Sequence, residues 1–76
     1  MVTAYILIKA NTAEADRLHQ AIKAIDGVES AHIVAGDVDI IAKVSVDSPG
    51  AVKEIAADEV GPISGVESTR TYIAMD

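Results

Sequence analysis

The residues best able to do chemistry gather at one place in this sequence. Gly36-Asp37-Val38-Asp39 interrupts two branched aliphatic stretches within residues 32–46. A turn containing glycine can present backbone N–H groups to an anion, and Gly36, lacking a Cβ, permits close approach. Asp37 and Asp39 supply carboxylates that can accept charge-assisted hydrogen bonds from a cation. The same residues also have a plain reading, with Gly36 and Asp37 as turn formers and Asp39 as a solvated charge at a strand edge. Elsewhere the signals thin out. His19 and His32 lie far apart with no His-x-x-His spacing, so they read as surface or sheet-face histidines rather than metal ligands or bases. Thr69 and Thr71 suit a strand and can add hydroxyl contacts. Arg70 between them reads as an interface or solvent charge rather than an anion clamp. Lys9 and Lys43 occupy equivalent strand-end positions and read as structural.

The elements that must hold these residues follow from hydrophobic period and punctuation. Residues 32–46 read as a β-hairpin with Gly36-Asp37 at its turn, residues that tolerate positive φ. Its strands run from Val28 to Ala35 and from Val38 to Val46, with Val38, Ile40, Ala42, Val44 and Val46 on one face. A first strand covers residues 2–10, where consecutive Tyr5, Ile6, Leu7 and Ile8 make both faces apolar. Asn11 and Glu14 have the spacing of a capping box, with Thr12 as the alternative cap. Ala15, Leu18, Ile22 and Ile25 then recur at helical spacing, and Gly27 is read as the helix end. Asp47-Ser48-Pro49 starts a second helix, Val52, Ile55 and Ala56 are its inward stripe, and Gly61-Pro62 stops it. The last strand is expected from Val66 to Met75.

The order is strand, helix, strand, strand, helix, strand, and the halves echo each other. Asp26-Gly27-Val28-Glu29-Ser30 and Ser64-Gly65-Val66-Glu67-Ser68 agree in four of five positions. Two interleaved βαβ units predict an α+β, ferredoxin-like βαββαβ fold, a four-stranded antiparallel sheet with both helices on one face. The other face, on which Tyr5, Leu7 or Tyr72 can lie, then needs a cover, and a second copy packed sheet to sheet is the simplest one.

Composition bounds the rest. With 76 residues the chain is expected to be one domain, and it contains no Phe, Trp or Cys. So small a core, built mostly of Ala, Val and Ile, usually needs a staple or a partner, and without cysteine the expected stabiliser is oligomerisation. A formal charge of −6 argues against direct nucleic-acid binding, which needs a basic patch. Tyr5 and Tyr72 are too few to make a base-stacking sheet for RNA. No membrane span or leader is evident, so the default location is the cytoplasm.

Echo and hairpin together resemble the effector-binding (RAM) domain of the Lrp/AsnC regulators. Gly27-Val28 opens the second strand, and Val34-Ala35-Gly36-Asp37-Val38-Asp39 matches the family's Val-x-Gly-x-x-Asp hairpin. Ile63-Ser64-Gly65-Val66 followed by Thr69-Arg70-Thr71 matches its Ile-Pro-Gly-Val and Thr-x-Thr segment, with Ser64 in place of proline. The match spans residues 1–76 as one domain. The family's regulators carry a helix-turn-helix domain, whereas here strand one begins at once, so the resemblance implies a stand-alone module. It further implies homodimers and higher oligomers, an amino-acid effector held between dimers near the hairpin, and a full-length Lrp/AsnC regulator as partner; neither a cofactor nor a metal is expected. On this reading the turn's N–H groups hold the effector carboxylate, Asp39 or Asp37 receives its ammonium, and Thr69 and Thr71 add contacts.

Two other function classes compete. A small dimeric α/β-barrel enzyme of the same topology needs a buried acid–base residue, and neither histidine has a clear partner. An ACT-like regulatory subunit holds its effector at a Gly-rich turn after strand one, and Ala10-Asn11-Thr12-Ala13 contains no glycine. A metal chaperone of this fold is excluded by the missing cysteines.

Overall fold

Tyr5, Ile6, Leu7 and Ile8 predict a strand covered on both sides, and the computed structural model, which describes residues 1–76, sets that strand inside the sheet. β1 (Val2–Ala10) lies between β3 (Ile40–Val46) and β4 (Val66–Ile73), with β2 (Val28–Ile33) outside β3. All three pairings are antiparallel, in the order β2-β3-β1-β4 expected of a ferredoxin-like sheet. Between strands run α1 (Ala15–Lys23), entered through a 3₁₀ turn, and α2 (Pro49–Lys53), which continues as π-helix from Glu54 to Val60. Both helices cover one sheet face. Ala4, Ile6, Ile8, Ala31, Ile40, Ala42 and Val44 meet Leu18, Ile22, Val52, Ile55 and Val60 there in one cluster.

Sequence chemistry explains the ends of these elements. Asn11 caps the first turn by accepting the Ala13 N–H at 3.0 Å, but Glu14 does not complete a capping box. Its carboxylate takes Arg17 Nε at 2.9 Å instead, and Arg17 Nη2 donates to the Ser64 carbonyl. Ser48 caps α2 by accepting the Ala51 N–H at 3.2 Å, followed by Pro49. α1 ends at Lys23, short of the glycine expected to stop it. Gly27 instead makes the turn into β2 at φ +97°, as Gly65 does into β4 at φ +103°. The repeat is visible in hydrogen bonds. Ile25 N–H to Ile22 O and Val28 N–H to Ile25 O measure 3.1 Å each, as do Ile63 N–H to Val60 O and Val66 N–H to Ile63 O. A Cβ on Gly27 would stand 2.8 Å from Ile55 Cδ1 and 3.0 Å from Val46 Cγ1, so those side chains would have to shift to admit it.

The hairpin differs from the expected two-residue turn. Ile33 pairs with Ile40, and residues 34–39 form a loop. Val38 therefore belongs to the loop rather than to β3, and β2 stops at Ile33 rather than at Ala35. The cause is Asp39. Its N–H donates to Ile8 O at 2.9 Å and its carbonyl accepts the Val34 N–H at 2.8 Å, so the loop closes there and not at Gly36. Neither Gly36 nor Asp37 adopts positive φ, and a Cβ on Gly36 would meet nothing within 4 Å. β4 also ends early, at Ile73, with the Ala74 N–H still donating to Thr3 O at 2.8 Å.

Candidate functional site

Antiparallel register decides which side chains share the uncovered face. His32 is opposite Ile41, Ile41 opposite Leu7 and Leu7 opposite Arg70, one continuous row across all four strands. Ser30, Lys43, Tyr5 and Tyr72 form the next row, and Lys9 is opposite Ser68. Tyr5 and Tyr72 are 39% and 54% exposed, while Leu7 and Ile41 are half-buried by their neighbours alone. Lys43 is 3.7 Å from Glu29.

At one end of this face the 34–39 loop rises over the sheet and encloses a cavity of about 480 Å³. Leu7, Val38 and Tyr72 give it apolar walls, and Asp37, Lys9, Arg70 and Ser68 give it polar ones. That volume lies in the usual range for a small-molecule site. Opposite charges line the cavity without closing on each other. Asp37 and Arg70 make no ion pair, and Lys9 reaches only Asp39, at 4.0 Å.

The residues singled out from sequence divide between this cavity and other places. Asp37 is in it. Asp39 is beside it but engaged, since its Oδ2 accepts the Ala10 N–H at 2.9 Å and its Oδ1 the Thr12 hydroxyl at 3.5 Å. Its side chain is 17% exposed, so it is a brace between loop and β1 rather than a solvated edge charge. Gly36 is at the exposed loop tip and lines no cavity. Thr69 and Thr71 alternate with Arg70 and therefore point to the helix side. There they line a separate groove of about 290 Å³ with Val52, Lys53 and Ala56. They do not meet Asp37. Arg70 and Lys9, read from sequence as solvent and structural charges, are the cavity's cations. Register was the missing signal, because pairing β4 against β1 is what carries Arg70 onto Leu7 and Ser68 onto Lys9.

His19 Nε2 lies 2.7 Å from the Ala31 carbonyl and ties α1 to β2, a structural use. His32 is exposed on the open face. No cluster of three His, Cys, Asp or Glu side chains has the geometry of a metal site. No helix is long and apolar enough to cross a membrane.

Comparison with known proteins gives a consistent picture. Residues 3–76 match the family model of the Lrp/AsnC ligand binding domain. Leucine-responsive regulatory protein of Klebsiella pneumoniae is 26% identical over 61 residues, which are 80% of this chain and 37% of that protein. The chain thus spans little more than a third of the curated relatives it matches. TTHA0845 from Thermus thermophilus shares the fold at a TM-score of 0.95 and 26% identity, over 100% of this chain and 95% of that one. A feast or famine regulatory protein from M. tuberculosis, solved in complex with L-methionine, aligns at a TM-score of 0.82 and 23% identity. That alignment covers 100% of this chain and 51% of the other.

Proposed function

The chain belongs to the Lrp/AsnC ligand-binding domain family, and on that footing we propose that it binds an amino acid in the cavity beneath the 34–39 loop. Its role is sensing and assembly. It modulates transcription regulators of the Lrp/AsnC type by joining copies of itself and of them, without catalysis and without touching DNA. The observation that carries this reading is the pair Asp37 and Arg70, opposite charges lining one cavity yet unpaired. A zwitterion satisfies both, its carboxylate at Arg70 and its ammonium at Asp37, and its side chain lies against Leu7, Val38 and Tyr72. Arginine suits this task because its planar fork matches a carboxylate. The L-methionine complex of the M. tuberculosis protein adds support from a shared fold.

Assembly follows from the open face. Only 15 of 76 residues are buried, all of them apolar, while on the far side of the sheet Tyr5 and Tyr72 are exposed and Leu7 and Ile41 only half-buried. A second copy packed face to face covers that side of the sheet. A thermal-shift screen against the twenty amino acids, followed by calorimetry on wild type and Asp37→Asn, tests the site. The substitution keeps the shape and removes the charge, so affinity should fall about ten- to a hundred-fold. Equal affinities would exclude Asp37, and a wild type that binds no amino acid would refute the sensing role.

A further inference from the structure

We infer that the ligand is a dicarboxylic amino acid, aspartate or glutamate in kind; this rests on reading the cavity as an amino-acid site. The argument begins with where the charge lies. The chain has twice as many acidic residues as basic ones, 12 against 6, yet Lys9, Lys43 and Arg70, half of its cations, stand on the uncovered sheet face. Lys43 is matched there by Glu29 at 3.7 Å. The cavity keeps Lys9 and Arg70 against the single carboxylate of Asp37.

A neutral amino acid uses Arg70 for its carboxylate and Asp37 for its ammonium, and Lys9 remains. The Asp39 carboxylate does not retire that charge. It is 4.0 Å from Nζ, at the outer limit of an ion pair, and its oxygens face the Ala10 N–H and the Thr12 hydroxyl. The Lys9 side chain is half-exposed and free to swing toward a second carboxylate. The three charged residues that line the cavity, Lys9, Arg70 and Asp37, sum to +1, and a dicarboxylic amino acid, with one net negative charge, offsets it. Its three charged groups have three opposite ones to meet among the residues that line a space of about 480 Å³. Face-to-face pairing sharpens the requirement. A second copy would bring its own Lys9 and Arg70 to the same interface, and repulsion between like charges that lose their water is relieved by an anion held there.

Calorimetry at one moderate salt concentration tests this with L-glutamate, L-aspartate and their amides L-glutamine and L-asparagine, which match them in shape. Each acid should bind roughly tenfold or more tightly than its amide. Lys9→Gln should erase that gap while leaving glutamine binding nearly unchanged, and Lys9→Arg should restore it. An amide that binds as tightly as its acid would overturn the inference, as would a gap that survives Lys9→Gln. Preference for a neutral amino acid would sink this inference and leave the sensing role standing. Failure of every amino acid to bind would remove both.

Discussion

Asp39 offers the sharpest test of how the loop is held. In Asp39→Ala the Ala10 N–H loses its acceptor at 2.9 Å, on a residue only 5% exposed. A hydrogen bond to a charged group contributes about 1.5–3 kcal/mol, and an orphaned buried donor costs about 1–3 kcal/mol. The Thr12 hydroxyl at 3.5 Å adds little, and the half-exposed Lys9 at 4.0 Å adds at most about 1 kcal/mol. With the carboxylate 17% exposed, water replaces part of the loss, which leads to an expected destabilisation of about 2 kcal/mol. A domain of this length has roughly 4–11 kcal/mol in total, so the effect is large. At a urea slope of about 1–3 kcal/mol/M the midpoint should fall by about 1 M. Asp39→Asn keeps an acceptor oxygen and should lose about half as much. Unfolding must be compared at one protein concentration, because assembly contributes to stability. An Asp39→Ala protein within about 0.5 kcal/mol of wild type would mean that the carboxylate does not brace the loop.

Other substitutions probe other links. Gly27→Ala and Gly65→Ala both force a Cβ onto a backbone at positive φ, at about 1–3 kcal/mol each. Gly27→Ala should cost more, since its Cβ meets Ile55 and Val46 where Gly65's meets the movable end of Arg17; equal denaturation midpoints would contradict this. Wild type at micromolar concentration should sediment above the 7.9 kDa of one chain, and Leu7→Lys should shift it to the monomer or unfold it. A folded wild-type monomer would remove the need for a covered face. A gel shift with duplex DNA at moderate salt should show no complex, as expected for a net charge of −6, and tight specific binding would reverse that reading.

The fold was readable because period and punctuation agreed. The apolar run of residues 2–10 matches β1, Ser48-Pro49 starts α2, and the Gly-Val echo at residues 27–28 and 65–66 forms matching turns. What escaped depended on distant partners. Gly36 and Asp37 have the composition of a tight turn, but Asp39's bonds to Ile8 and Ala10 closed the loop later. Glu14 fitted a capping box until Arg17 competed for it. The candidate site was half legible. Asp37 and the loop line the cavity, whereas alternation sends Thr69 and Thr71 to the other face of the sheet. Lys9, Ser68 and Arg70 became neighbours only through the register of β1 with β4.

The position of β1 has a consequence for synthesis. It is made before every other element, yet its two neighbours are β3, which begins only at Ile40, and β4, the last element of all. As the chain leaves the ribosome, Tyr5-Ile6-Leu7-Ile8 emerges with both edges bare and waits for partners that do not yet exist. Such a segment, apolar on both faces and free of proline, is the kind that pairs with a neighbouring nascent chain. The N-terminal α1–β2 half cannot shelter it, because β2 pairs with β3 and not with β1. β3 can cover one edge of β1 once Val46 has been made, but the other edge stays bare until β4 is complete at Ile73, so one side of the apolar strand is exposed for most of synthesis.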